Sequence, residues 1–246
     1  MGFTSAFEKS VKDFKNNFKT LFLGVLLFIA IPTLVVSLIN ILFVGSPIYD
    51  VSEQQDFSLT HIFLLVIFVI ISGILFSIFN SGVIKASLKK NKFSLKDLTY
   101  FGKKNWLKFL GGIIVFFLFI TGLFFLLIIP AIIFFVYWIF YQYVLFDEEK
   151  GILYSLKRSR SLVKSKWWSV LGYILFACAF AVILNVVLYL PFQDSFSTSG
   201  LILDSPLITL IHGIVSSILV SLAYYGFLSL FYKNLYLELK NKPKKK

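Results

Sequence analysis

Apolar residues run for about 20 positions or more at a time, then give way abruptly to basic segments, and this alternation recurs along the whole chain. A helix of that length crosses a hydrocarbon core of about 30 Å. Thr20 to Val44 and Thr60 to Ile84 read as the first two crossings. Leu107 to Phe146 is 40 residues long, about 60 Å of helix and therefore two crossings. Pro130 marks the turn between them, because proline suits the first turn of a new helix and breaks the interior of an old one. Trp168 to Leu190 and Pro206 to Phe231 complete the set. The pattern predicts an all-α, polytopic membrane protein with six spans in three hairpins. These fall at about 1–90, 91–147 and 148–236 of one domain (1–246), followed by a basic tail over 237–246.

Charge adds an orientation. All 24 Lys and Arg residues fall into four blocks, Lys9 to Lys19, Lys85 to Lys108, Lys150 to Lys166 and Lys233 to Lys246. The two loops near Tyr49 and Asp194 hold Asp50, Glu53, Asp56, Asp194 and Asp204 and no cation. One side of the membrane thus carries +17, from 24 cations against seven acids, and the other −5. The positive side belongs in the cytoplasm, which predicts a cell-membrane protein with both termini cytoplasmic. Topology and anionic headgroups account for the net charge of +12. No groove-reading motif accompanies it, which argues against nucleic acid as a partner. The first apolar stretch, Leu21 to Val44, is too long for a signal-peptide core and lacks a small-x-small cleavage site, so it is expected to be retained. Cys178 stands alone, giving neither disulfide nor metal-ligand spacing.

A basic amphipathic segment precedes the first, second and third hairpins. In the first, Phe7, Val11, Phe14 and Phe18 fall at helical spacing opposite Lys9, Lys12 and Lys15. In the third, Ile152, Leu156 and Val163 oppose Lys157, Arg158 and Lys164. Ser5 with Glu8, and Ser94 with Asp97, have the spacing of capping boxes. Such helices are expected either to lie in the headgroup plane or to cap the bundle. Lys9, Lys12, Lys15, Lys157, Arg158 and Lys164 are then the candidate lipid-facing cations. Spans two and six also share Gly-Ile-x-x-Ser-Ile-x-x-Ser, as Gly73, Ser77, Ser81 and as Gly213, Ser217, Ser221. Small residues at every fourth position form a flat face for close helix packing.

Catalytic motifs are missing from the chain: no Walker loop, HExxH, GxSxG or paired-carboxylate constellation occurs. His212 is the only ionisable candidate of note within a span, and a packing histidine explains it. His61 stands at the start of span two, where the same explanation applies. Asn80, Gln142 and Asn185 are in-span polar residues that could bond between helices or line a small cavity. Asp147, Glu148 and Glu149 read as closing span four and opening the third amphipathic helix, where the helix dipole favours carboxylates, with Arg158 or Arg160 as candidate partners.

Tyr143-Val144-Leu145-Phe146-Asp147-Glu148, then Ser155-Leu156-Lys157-Arg158-Ser159, Leu162, Lys164 and Trp167, together form a signature. It resembles that of the membrane domain of glycerophosphodiester phosphodiesterases and related uncharacterised small prokaryotic integral membrane proteins. Ile129-Pro130-Ala131-Ile132 is similar to the Pro-containing hairpin of that family. The resemblance implies a membrane module without the phosphodiesterase activity, since the chain has no place for a soluble catalytic domain. The expected function is therefore a non-enzymatic, cofactor-free envelope accessory or scaffolding module. It would engage anionic lipid, a partner protein or a second copy of itself. The alternative is a channel or carrier for a small neutral or amphiphilic solute. A water-accessible cavity at mid-membrane depth lined by Asn80, Gln142, Asn185 or His212 would favour that alternative.

Overall fold

The computed structural model describes residues 3–44, 59–197 and 206–241, and these are helical almost throughout. Among the described residues, six stretches are long and apolar enough to cross a membrane: Phe3–Val36, Ile62–Lys89, Leu95–Phe125, Ile128–Asp147, Ile152–Leu188 and Ile214–Asn241. The acidic residues Asp50, Glu53, Asp56 and Asp204, the side chains of Asp194, His61 and His212, and the surroundings of Gly213 lie outside what the structure describes.

The first basic segment is not a separate helix. Helix α1 (Phe3–Val25) continues through a π-helical stretch, Leu26–Ala30, into α2 (Ile31–Val44). Ser5 and Glu8 therefore sit inside α1 rather than capping it. After α3 (Leu59–Lys89), α4 (Leu95–Leu126) likewise runs unbroken from its basic start into its apolar run. Its N-terminus does carry the expected box. The Ser94 hydroxyl accepts the Asp97 N–H at 3.2 Å, and the Ser94 N–H donates to Asp97 Oδ2 at 2.9 Å.

The break before Pro130 falls at Leu127, which is extended, with φ −161° and ψ 130°. Proline's ring would collide with the carbonyl four residues back, so residue 126 cannot continue into the next helix. Helix α5 (Ile128–Trp138) then starts with Pro130 in its first turn, where no intrahelical N–H bond is lost. A second interruption at Ile139–Phe140 separates α5 from α6 (Tyr141–Asp147). Helix α7 (Ile152–Val163) closes it from outside. The Ser159 hydroxyl accepts the Phe140 N–H at 3.3 Å and donates to the Tyr137 carbonyl at 2.8 Å. Ser159 is fully buried. Ser159→Ala should strand both backbone groups and lower stability by about 1–3 kcal/mol. Thermal unfolding in detergent would measure it, and an unchanged midpoint would show that the break needs no bridge.

A 3₁₀ turn, Lys164–Lys166, joins α7 to α8 (Trp167–Ser197). Helix α9 (Pro206–Ser221), a second π-helical stretch at Leu222–Leu228 and α10 (Ser229–Asn241) form the last continuous helix. The most extensive packing is between α3 and α4, and α1 packs along α10.

The tightest core lies at the end of the bundle where the Lys and Arg residues gather. There Phe79, Leu98 and Leu21 pack in one cluster, and Phe140, Phe146, Phe231 and Tyr236 in another. Towards the opposite end, Phe63, Val66, Val69, Phe124, Phe125, Ile183 and Val187 point outwards. So large an apolar surface suits contact with lipid. Lipid tails supply no hydrophobic drive to bury such side chains, so packing and hydrogen bonds must hold the helices together.

Candidate ligand cavity

Asp147, Glu148 and Glu149 organise the basic end: they close the fourth long apolar stretch, as expected, but do not open α7. Asp147 ends α6, Glu148 follows it, and Glu149 adopts a positive φ of 54°. Carboxylates are disfavoured at a helix C-terminus, and cations from three other helices offset this. Asp147 accepts from Tyr236 at 2.7 Å and Lys240 at 2.5 Å on α10. Glu148 accepts from Tyr154 at 2.8 Å and Arg158 at 3.0 Å on α7. Glu149 pairs with the buried Lys85 of α3, which also donates to the Phe146 carbonyl at 2.5 Å. Arg158 therefore holds Glu148 and is not a free cation, whereas Lys9, Lys12, Lys15, Lys157 and Lys164 are exposed.

Burial pushes the Glu148 carboxyl up, but the bonds from Tyr154 and Arg158 outweigh it and leave the group below its ordinary range. The Lys85 hydrogen bond and charge lower Glu149 as well. A depressed folded pKa stabilises the fold above the unfolded value and loses that contribution as pH falls through the folded one. The unfolding midpoint in detergent should thus fall as pH is lowered through the acid range, and Glu148→Gln should flatten the dependence.

The small-residue face differs from the shared motif. Ser77 and Ser81 are buried, and Ser81 donates to the carbonyls of Ser77 at 2.7 Å and Gly102 at 3.4 Å. Gly73 is not on that face: nothing lies within 4 Å of where its side chain would begin. Gly82 and Gly102 replace it, each lying against a backbone carbonyl of the other helix, Leu98 and Ile78 respectively. On the last helix Ser221 is buried and Ser217 half-buried.

Beyond the acidic junction the helices diverge around a cavity of about 690 Å³. Three helices line it at helical spacing: α3 with Phe76, Asn80 and Ile84, α4 with Phe109, Ile113 and Phe116, and α8 with Ala177 and Ala181. The two alanines leave room that larger side chains would fill. The π-helical stretch contributes Tyr224, Tyr225 and Leu228. A wider turn of this kind re-aims neighbouring side chains and often marks functional sites. Edge-on packing of Phe76 against Tyr225 at 4.9 Å and stacking of Phe116 on Tyr141 at 5.1 Å build the walls.

The polar lining is neutral. Asn80 donates to the Phe76 carbonyl at 2.9 Å and Gln142 to the Tyr141 hydroxyl at 3.1 Å, which leaves both amide oxygens as acceptors. Tyr143 donates to the Ser229 carbonyl at 2.9 Å. No Asp, Glu, His, Lys or Arg is among the described lining residues. Nor do three or more His, Cys, Asp or Glu side chains gather as metal ligands among the described residues. Phe117 (62% exposed) and Val182 (61% exposed) belong to the lining and to the outer surface, so the cavity opens between α4 and α8 onto the apolar flank.

Asn80 and Gln142 thus meet at one cavity, while Asn185 is exposed on α8 and bonds the Ala181 carbonyl at 2.8 Å. Tyr141, Tyr224, Tyr225 and Tyr232 line the cavity without having been marked by the sequence pattern, and Tyr143, known there only as part of the signature, joins them. Their signal was available, since tyrosines well inside apolar runs need partners for their hydroxyls.

No curated protein and no solved structure matches the chain. Residues 96–235 match a family described as a domain of unknown function, DUF7847. That stretch contains the acidic junction and every lining residue except Phe76, Asn80 and Ile84. With more than half of its 246 residues matched, the chain belongs to the DUF7847 family.

Proposed function

We propose that this protein is a non-enzymatic, six-span cell-membrane module that binds a lipid-like amphiphile drawn from the bilayer. The spans form three hairpins, with both termini and the acidic junction on the cytoplasmic side. The observation that carries the reading is the neutral, aromatic cavity of about 690 Å³ opening onto the apolar flank. Its size falls within the range of about 300–1,000 Å³ typical of ligand pockets. Kinship with the membrane domain of glycerophosphodiester phosphodiesterases remains part of the proposal and rests on the signature within Pro130 to Trp168.

A second reading, an envelope scaffold that engages anionic lipid or a partner protein, draws support from the exposed Lys9, Lys12, Lys15, Lys157 and Lys164. Native mass spectrometry from mild detergent separates the two. The cavity reading expects a retained lipid-sized mass that is lost in Ala181→Phe, whose new ring fills the space beside the buried Ala181. Anionic phospholipid retained equally by Ala181→Phe, and released when the five lysines are changed to Gln, would favour the scaffold instead.

A further inference from the structure

We infer that the cavity selects an uncharged amphiphile with a hydroxyl-bearing head, of the monoacylglycerol class, seated head-first towards the basic end. This rests on the cavity being a ligand site and adds the occupant's chemistry and direction.

The direction follows from where the polar groups stand. Asn80 precedes Lys85 by five residues on α3, which places it about 7.5 Å from the level of the acidic junction. Gln142 precedes Asp147 by five residues on α6 and lies at a similar depth. Val182 follows Trp167 by 15 residues on α8, about 22 Å from the start of that helix. Acceptors therefore line the inner end, and the opening beside Phe117 and Val182 lies towards the bilayer centre. An amphiphile entering through it can leave its chain among Phe116, Phe117 and Val182 and place its head by Asn80 and Gln142.

The head-group chemistry follows from what the lining lacks and what it offers. A phosphate or carboxylate would enter without a counter-charge, and burying an unpaired charge is strongly unfavourable. Of the three cations next in sequence to lining residues, Lys85 is engaged by Glu149 and the Phe146 carbonyl and Lys233 by Asp13, while Lys108, beside Phe109, is exposed and is not among the lining residues. The amide oxygens of Asn80 and Gln142 accept hydrogen bonds and each amide keeps a second N–H to donate, so a hydroxyl, which both donates and accepts, matches them. An ester or ketone alone accepts and would leave both oxygens unmatched.

Trp138 supplies the readout, since it is buried and lines the cavity. The probe protein is the full chain with Trp106, Trp167 and Trp168 changed to Phe, placed in zwitterionic nanodiscs. Three quenchers share one dibrominated acyl chain: a 1-monoacylglycerol, its fatty-acid methyl ester and a lysophosphatidylglycerol. The monoacylglycerol should quench Trp138 saturably at low mole fraction. The methyl ester and the anionic lipid should each need about tenfold more, as expected for one lost hydrogen-bonding partner or a buried charge. Asn80→Leu with Gln142→Leu should abolish the preference for monoacylglycerol over methyl ester while quenching by both persists.

Equal or stronger quenching by the anionic probe would overturn the selectivity while leaving the cavity as a ligand site. Quenching by all three that never saturates, unchanged in Ala181→Phe, would overturn the ligand site itself. Should Ala181→Phe fail to fold, Ala177→Leu fills the same wall from one turn away, and the Trp138 emission maximum reports whether the fold is retained.

Discussion

Gly102→Ala is expected to destabilise the protein by about 3 kcal/mol, the upper part of the range for overpacking a close contact. Gly73→Ala should be neutral or stabilising by about 0.5–1 kcal/mol. Both glycines are helical, on α4 and α3, so propensity alone would make both substitutions favourable. The surroundings separate them. A Cβ on Gly102 would fall on the Ile78 carbonyl, and one on Gly82 on the Leu98 carbonyl. Backbone cannot rotate away as a flexible side chain would, so the two helices must part. Parting them also withdraws the Ser81 hydroxyl from the Gly102 carbonyl. At Gly73 the position is open and alanine only removes conformational freedom from the unfolded chain. Unfolding midpoints of Gly73→Ala, Gly82→Ala and Gly102→Ala in one detergent would test this. Equal effects at all three positions would mean that α3 and α4 do not approach as closely as described.

The pair between Asp13 and Lys233 should produce a comparable loss. Lys233 is 4% exposed on its side chain and donates to Asp13 Oδ2 at 2.5 Å, tying α10 to α1. Asn234 reinforces the contact, donating to Ser10 at 3.0 Å and to the same carboxylate at 3.2 Å. Asp13→Leu leaves a buried ammonium without its partner, and removing one member of such a pair costs about 3–5 kcal/mol. Lys233→Met should be milder, because Asn234 still serves the carboxylate. Asp13→Leu with Lys233→Met should recover much of the loss, since neither charge then remains buried. A double-mutant cycle reads this as strong coupling. Purely additive effects would show that the two side chains do not meet in the folded protein.

The two predictions share a cause that the sequence only half discloses. Apolar run length determined that the described chain is helical and that six stretches can cross a membrane, because a bilayer admits helices of that length and satisfies no backbone group. Pro130 announced a break, and the Ser94–Asp97 box announced where α4 begins, because both act within a few residues. Tertiary structure decided which faces meet. The phenylalanine stripe of α1 was visible as a period, yet the fully buried positions Ala6, Ser10 and Asn17 fall on a neighbouring face. Small and polar residues allow close approach and hydrogen bonding where lipid supplies no hydrophobic drive, so polarity stops marking the outside. Arg158 was legible as a partner of the acidic triplet, since it follows Glu148 closely in sequence, whereas Lys85 and Lys240, which hold Glu149 and Asp147, lie on helices distant in sequence. Asn80 and Gln142 were legible as polar residues in apolar runs. That they share a cavity with the tyrosines depends on how α3, α4, α6, α8 and the second π-helical stretch diverge. Local physics set the helices, and non-local contacts set the space between them.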